Sequence, residues 1–127
     1  MSKPGLSDGE SESILLVEDE PAVRQLVVRT LRRAGYSVYE AANGEEAIRA
    51  FEEHAASIDL LLTDMRMPTM GGAELAQRLR ALRPSLKLIC ISGYPGGGET
   101  DLAGDFLQKP FSREELLGKV RAVLDRR

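Results

Sequence analysis

Apolar positions along this chain follow two rhythms. Ile14–Val17, Ile58–Thr63 and Leu86–Ile91 are short, almost unbroken apolar runs, the pattern of strands covered on both faces. Ser37–Ala41 and Asp105–Gln108 are more mixed and read as further strands. Between the runs, apolar residues recur at helical spacing. Val23, Leu26, Val27, Thr30, Leu31 and Ala34 mark a first helix, with Gly35 as its stop. Asn43-Gly44 is a turn, and Ala47, Ile48, Phe51 and Ala55 form a second helical face. Met70-Gly71-Gly72 breaks the chain, after which Leu75, Leu79 and Leu82 mark a third helix ending before Pro84. Ser112, with Glu115 three residues on, is a capping box for a last helix that buries Leu116, Val120, Val123 and Leu124.

Five β–α alternations of this kind predict an α/β fold: a flavodoxin-like, doubly wound, five-stranded parallel sheet in the order 2-1-3-4-5. One crossover breaks the rhythm. Twelve residues separate Ser92 from Asp105, and they include Gly93, Gly96, Gly97, Gly98 and Gly104. A crossover needs about a dozen residues, and each glycine costs a helix about 1 kcal/mol. The fourth helix is therefore expected to be shortened to one or two turns, or replaced by a mobile loop. Residues 1–12 read as a flexible leader and 13–127 as the single domain.

Composition narrows the function. The chain has 127 residues, 17 Lys plus Arg against 20 Asp plus Glu, and a net charge of −3. No basic surplus exists to coat phosphates, so direct nucleic-acid binding is not expected. No apolar run approaches the roughly 20 residues of a membrane span, and the polar, acidic start has no signal-peptide pattern. The single cysteine, Cys90, excludes an internal disulfide and suits a reducing, cytoplasmic setting; within an apolar strand it reads as a buried thiol. The single histidine, His54, excludes a His-cluster metal site and reads as a solvated face residue.

In open α/β sheets the functional crevice lies beyond the carboxyl ends of the strands. Glu18, Asp19 and Glu20 follow the first strand, Asp64 the third, Ser92 ends the fourth, and Lys109-Pro110 follows the fifth. The predicted strand order gathers these residues at one edge. Clustered carboxylates repel unless protons or a cation intervene. A hard divalent ion answers that need, and Mg²⁺, which takes one or two carboxylates and shares phosphate oxygens, suits best. Lys109 opposite suits an anion. Taken singly, each residue has a plainer reading: Glu18-Asp19-Glu20-Pro21 as a helix start, Asp64 as a turn residue, Lys109-Pro110 as a strand stop.

Four segments together carry a resemblance: Leu15-Leu16-Val17-Glu18-Asp19-Glu20, Leu62-Thr63-Asp64-Met65-Arg66-Met67-Pro68, Ile91-Ser92-Gly93-Tyr94 and Phe106-Leu107-Gln108-Lys109-Pro110-Phe111. Over residues 13–126 the chain resembles the receiver domain of bacterial two-component response regulators, either of the kind attached to hybrid histidine kinases or of the free-standing kind. The resemblance implies that Asp64 accepts a phosphoryl group from a sensor histidine kinase or a histidine phosphotransfer protein. It implies Mg²⁺ held by Glu18, Asp19, Asp64 and the backbone carbonyl of Arg66. It implies that Ser92 and Lys109 contact phosphoryl oxygens, that Phe106 changes rotamer when Ser92 moves, and that Lys109-Pro110 is cis. It leaves the output protein fused or separate and the chain a monomer or weak dimer. Beyond self-phosphorylation and dephosphorylation no enzyme activity is implied. A haloacid-dehalogenase-type phosphatase would place a second Asp where Arg66 stands. A flavin mononucleotide carrier would not place Glu18-Asp19-Glu20 against the phosphate. A pseudo-receiver, an interaction module that is never phosphorylated, would have no use for Asp19, Asp64 and Lys109.

Overall fold

A computed structural model describes residues 12–67, 69–93 and 105–126. Within them lie strands β1 (Ser13–Val17), β2 (Ser37–Ala41), β3 (Ile58–Asp64), β4 (Lys87–Ser92) and β5 (Asp105–Gln108). Helices α1 (Pro21–Arg33), α2 (Gly44–His54), α3 (Gly72–Leu82) and α4 (Arg113–Leu124) connect or follow them. The strands form one parallel sheet in the order β2-β1-β3-β4-β5, as the apolar pattern predicts. The expected flexible leader, apart from Glu12, and the expected shortened fourth helix lie outside the described residues.

Successive side chains of a strand point to opposite faces, and the two faces carry two cores. Ile14, Leu16, Leu60, Leu62, Ile89 and Ile91 pack against Val27, Leu31, Leu116 and Val120 of α1 and α4. Leu15, Val17, Leu61, Leu88 and Cys90 pack against Ala47, Phe51, Leu75 and Leu79 of α2 and α3. Cys90 is buried, as expected, and burial pushes its thiol up to about 11.

Helix α1 ends as expected at Gly35, whose φ is 102°. The Tyr36 N–H donates to the Leu31 carbonyl at 3.2 Å and the Gly35 N–H to the Arg32 carbonyl at 3.0 Å, the bond pair of a Schellman stop. The Ser112–Glu115 capping box of α4 is also formed.

Two expected core positions are not core. Leu26 is 61% exposed, whereas Val28 is buried. A helix turns about 100° per residue, so a stripe centred on Val27, Val28 and Leu31 carries Leu26 outward. Leu82 is also 61% exposed. It is the last residue of α3, whose buried stripe is Leu75, Ala76 and Leu79, and the chain turns extended immediately after it at Arg83. His54 is half-buried rather than solvated: its ring stacks on Tyr39 of the edge strand with centroids 4.3 Å apart.

Candidate functional site

Strands β3 and β4 each run one residue beyond their apolar stretch, so Asp64 and Ser92 stand at the strand ends. Asp64 is 6% exposed, and Glu18, the first residue after β1, is 1% exposed. Asp19 beside it is exposed. The three carboxylates each offer an oxygen, and these oxygens lie within 4.8 Å of one another.

Lys109 faces them. Its Nζ donates to Asp64 Oδ2 at 3.0 Å and stands 3.6 Å from Glu18 Oε1. The Lys109 main chain is fixed by its N–H donating to the Ser92 carbonyl at 2.7 Å, and the Lys109-Pro110 peptide is cis, as expected. The other Asp64 oxygen, Oδ1, accepts the Arg66 N–H at 3.1 Å. Glu18 Oε2 accepts the Glu20 N–H at 3.2 Å, but Oε1 is buried without a hydrogen-bond partner.

Burial, and next the charge of Asp64, pushes the Glu18 carboxyl up to about 7. Burial pulls the Lys109 ammonium down, but the hydrogen bond and charge of Asp64, with Glu18 behind, outweigh it and raise the amine above the ordinary lysine value. With Glu18 ionised, three carboxylates face one ammonium and leave negative charge in excess, and Glu18 Oε1 has no hydrogen-bond donor. A doubly charged hard cation supplies both missing elements, and three oxygen donors of this kind fit one.

The sequence-predicted residues separate into two groups. Glu18, Asp19, Asp64 and Lys109 are brought together. Ser92 is buried at the end of β4, one position beyond Ile91, which pairs with Asp64 across the ladder. Arg66 is exposed and meets the pocket through its main-chain N–H. Phe106 is half-buried on β5 and packs against the α2/α3 core. Tyr94 lies outside the described residues.

Two supporting residues were not legible. Gly72 read as a chain breaker, but its N–H donates to the Met65 carbonyl at 3.1 Å and the α3 backbone passes close over the end of β3. Arg24 lies outside the candidate residues of the sequence reading, yet its Nη1 donates to the Glu18 carbonyl at 2.7 Å. A guanidinium one turn into the helix that follows an acid cluster is the signal that points to it.

The sequence model of the response regulator receiver domain matches residues 14–121. The chain belongs to that family. This receiver is 40% identical over 121 residues to the sensor kinase CckA of Brucella abortus, covering 91% of this chain but only 13% of that protein. It is 37% identical over 116 residues to the response regulator receiver protein CpdR of the same organism, covering 87% of this chain and 95% of that one. A solved receiver domain from a hybrid histidine kinase CckA superposes with a TM-score of 0.80 at 41% identity, over 89% of this chain and 99% of that one. The two kinds of relative are those the sequence resembles, a kinase-attached receiver and a free-standing one. Receivers act in phosphorylation-dependent signalling and bind Mg²⁺ at an acidic pocket. Among the described residues, no helix is long and apolar enough to cross a membrane.

Proposed function

We propose that this receiver is a switch set by phosphorylation of Asp64, with a histidine kinase or histidine phosphotransfer protein as donor. The observation that carries the reading is the buried Asp64 carboxylate held between Lys109 at 3.0 Å and a second acid, Glu18, whose Oε1 is buried without a hydrogen-bond partner.

An Asp64 oxygen attacks the phosphorus of the donor, the phosphorus–nitrogen bond of the phosphohistidine breaks, and an acyl phosphate forms; water later cleaves it to phosphate and the original carboxylate. Such transfer needs positioning and charge neutralisation more than covalent assistance. Lys109, already paired with Asp64, supplies a fixed positive charge to the incoming oxygens, and Ser92 a hydroxyl. Glu18, Asp19, Asp64 and the Arg66 carbonyl would hold Mg²⁺, which when bound neutralises phosphoryl negative charge. Phe106 would then follow Ser92 and change the β5 face that an output protein, fused or separate, reads.

A mostly apolar cavity of about 480 Å³ lies beside the site, lined by Val23, Leu26, Val27, Lys109 and Phe111 among others. It shares Lys109 with the acid cluster, so a protein seated there through Leu26 would bring its phosphohistidine next to Asp64.

Incubation with acetyl phosphate and Mg²⁺, followed by intact mass, tests the reading. An adduct of about 80 Da is expected for one phosphoryl group, lost on removal of Mg²⁺ and absent in Asp64→Asn. An adduct of equal yield in Asp64→Asn would overturn it.

A further inference from the structure

The acid pocket is held from outside by a residue with no place in the phosphoryl chemistry. Arg24 lies in the first turns of α1, where its own N–H donates to the Glu20 carbonyl at 2.9 Å. Its Nη1 donates to the Glu18 carbonyl at 2.7 Å, a short, charge-assisted bond. Its Nε stands 3.6 Å from Glu40 Oε1 on the edge strand β2. Glu40 precedes Ala41, and the Ala41 carbonyl accepts the Glu18 N–H at 3.1 Å. The main chain of Glu18 is therefore gripped on both polar groups, by Arg24 on one side and β2 on the other, and the two grips are joined through Glu40. Arg32 stands 3.7 Å from the second Glu40 oxygen and donates to the Val38 carbonyl at 3.0 Å, which fixes Glu40 from a second direction.

Glu18 and Asp19 are neighbours, and the peptide between them carries the carbonyl that Arg24 holds. Rotation of that peptide would swing the Asp19 side chain, which is exposed. Outer partners of this kind, which orient a ligand without touching the ion, typically control metal affinity by 10- to 100-fold. We propose that Arg24 is a positioning residue for the divalent-cation pocket: it sets the Glu18–Asp19 peptide, and Glu40 anchors it. The inference rests on the pocket holding Mg²⁺, as proposed above.

The competing expectation has the opposite sign. A guanidinium near an acid pocket repels an incoming cation, so if Arg24 acted only through its charge, removing it would tighten Mg²⁺. If it were only a fold support, its loss would lower the melting temperature in EDTA and leave Mg²⁺ affinity unchanged in the folded protein.

Isothermal titration of the full chain with MgCl₂ separates these cases, with circular dichroism establishing that each variant is folded at the titration temperature. Arg24→Ala is expected to weaken Mg²⁺ by at least about tenfold. Arg24→Lys, able to reach the Glu18 carbonyl or Glu40 but not both, is expected to recover part of that loss. Glu40→Gln is expected to weaken Mg²⁺ several-fold while leaving every pocket carboxylate in place. Should Arg24→Ala not fold, Arg24→Lys and Glu40→Gln decide by the same readout. Unchanged or tighter Mg²⁺ in the folded variants, beside a wild type that binds it, overturns the role of Arg24 alone. A wild type that takes up no Mg²⁺ overturns the reading of the pocket, and the role of Arg24 with it.

Discussion

A Cβ placed on Gly72 would stand 2.4 Å from the carbonyl oxygen of Asp64. It would also stand 3.0 Å from the Met65 Cα. Both neighbours are main-chain atoms, so no side chain can turn aside to make room. Gly72→Ala must instead push the start of α3 away from the end of β3. Overpacking of this kind costs about 1–3 kcal/mol. The displaced peptide is that of the proposed phosphoacceptor. We therefore expect a lower melting temperature together with slower phosphoryl uptake from acetyl phosphate. A fully stable Gly72→Ala would mean that the α3 start yields without strain.

Gly118 is the opposite case. It lies inside α4, it is exposed, and a Cβ there would meet nothing within 4 Å. Glycine inside a helix is about 1 kcal/mol less favourable than alanine. Gly118→Ala should raise stability by up to about that amount in urea denaturation, with phosphoryl uptake unchanged.

Leu26 tests the proposed donor surface. Its exposed side chain borders the cavity that also touches Lys109, yet it contributes nothing to the buried core. Leu26→Glu should leave stability within about 0.5 kcal/mol, as for an ordinary surface change. Transfer from a phosphorylated kinase or phosphotransfer protein should slow by about tenfold, because a desolvated apolar anchor becomes a charge at an interface. Uptake from acetyl phosphate, which needs no docking, should keep its rate. Equal slowing with both donors would place the defect in the pocket rather than the surface.

Much of the sheet was legible because burial on both faces leaves little choice. Ile14, Leu60 and Ile89 sit in runs where almost any polar residue would be buried, so the strands follow from spacing, and their order from the doubly wound rule for alternating strands and helices. The helices were legible in type but not in rotation. Leu26 and Val28 are both apolar, and only packing against β1 and β2 decides which one faces inward. The pocket acids were legible because strand ends are predictable, and Asp64, Glu18 and Lys109 are chemically distinctive. Arg24 and Gly72 were not, since their roles consist of reaching a main-chain carbonyl across space. Nor was Thr69, which adopts a φ of 66° in the loop before α3, a conformation uncommon for a β-branched residue.

Glu18 gives the metal-free protein a distinctive pH dependence. Its carboxyl is pushed from 4.5 to about 7 in the folded state, first by burial and then by Asp64. Between those values the folded protein binds more protons than the unfolded chain. The contribution is thus fully present below about 4.5 and is lost as pH rises through about 7. Its size is on the order of 3 kcal/mol. In EDTA, stability should fall between about pH 5 and pH 8, and Glu18→Gln, which mimics the protonated acid, should flatten that fall. Mg²⁺ should restore the wild type at the upper end but help Glu18→Gln much less. A wild-type curve in EDTA that rises over this interval in step with Glu18→Gln would contradict the raised carboxyl.

Lys109 should separate stability from chemistry. In the metal-free protein its ammonium is the cation that compensates Asp64 and Glu18, at 3.0 and 3.6 Å. Removing one partner of a buried pair leaves the other charge uncompensated, which costs about 3–5 kcal/mol when burial is complete. The Lys109 side chain is 30% exposed, so solvent screening reduces the expected loss for Lys109→Ala to about 1–2 kcal/mol. Mg²⁺ affinity should move the other way and tighten several-fold, because the ion no longer shares the carboxylates with an ammonium. Melting in EDTA, titration with MgCl₂ and the rate of adduct formation by intact mass then report three separate signs: less stable, tighter for Mg²⁺, slower to accept the phosphoryl group. If adduct formation instead kept its wild-type rate, Lys109 would be a charge balance for the resting pocket and not a contributor to transfer.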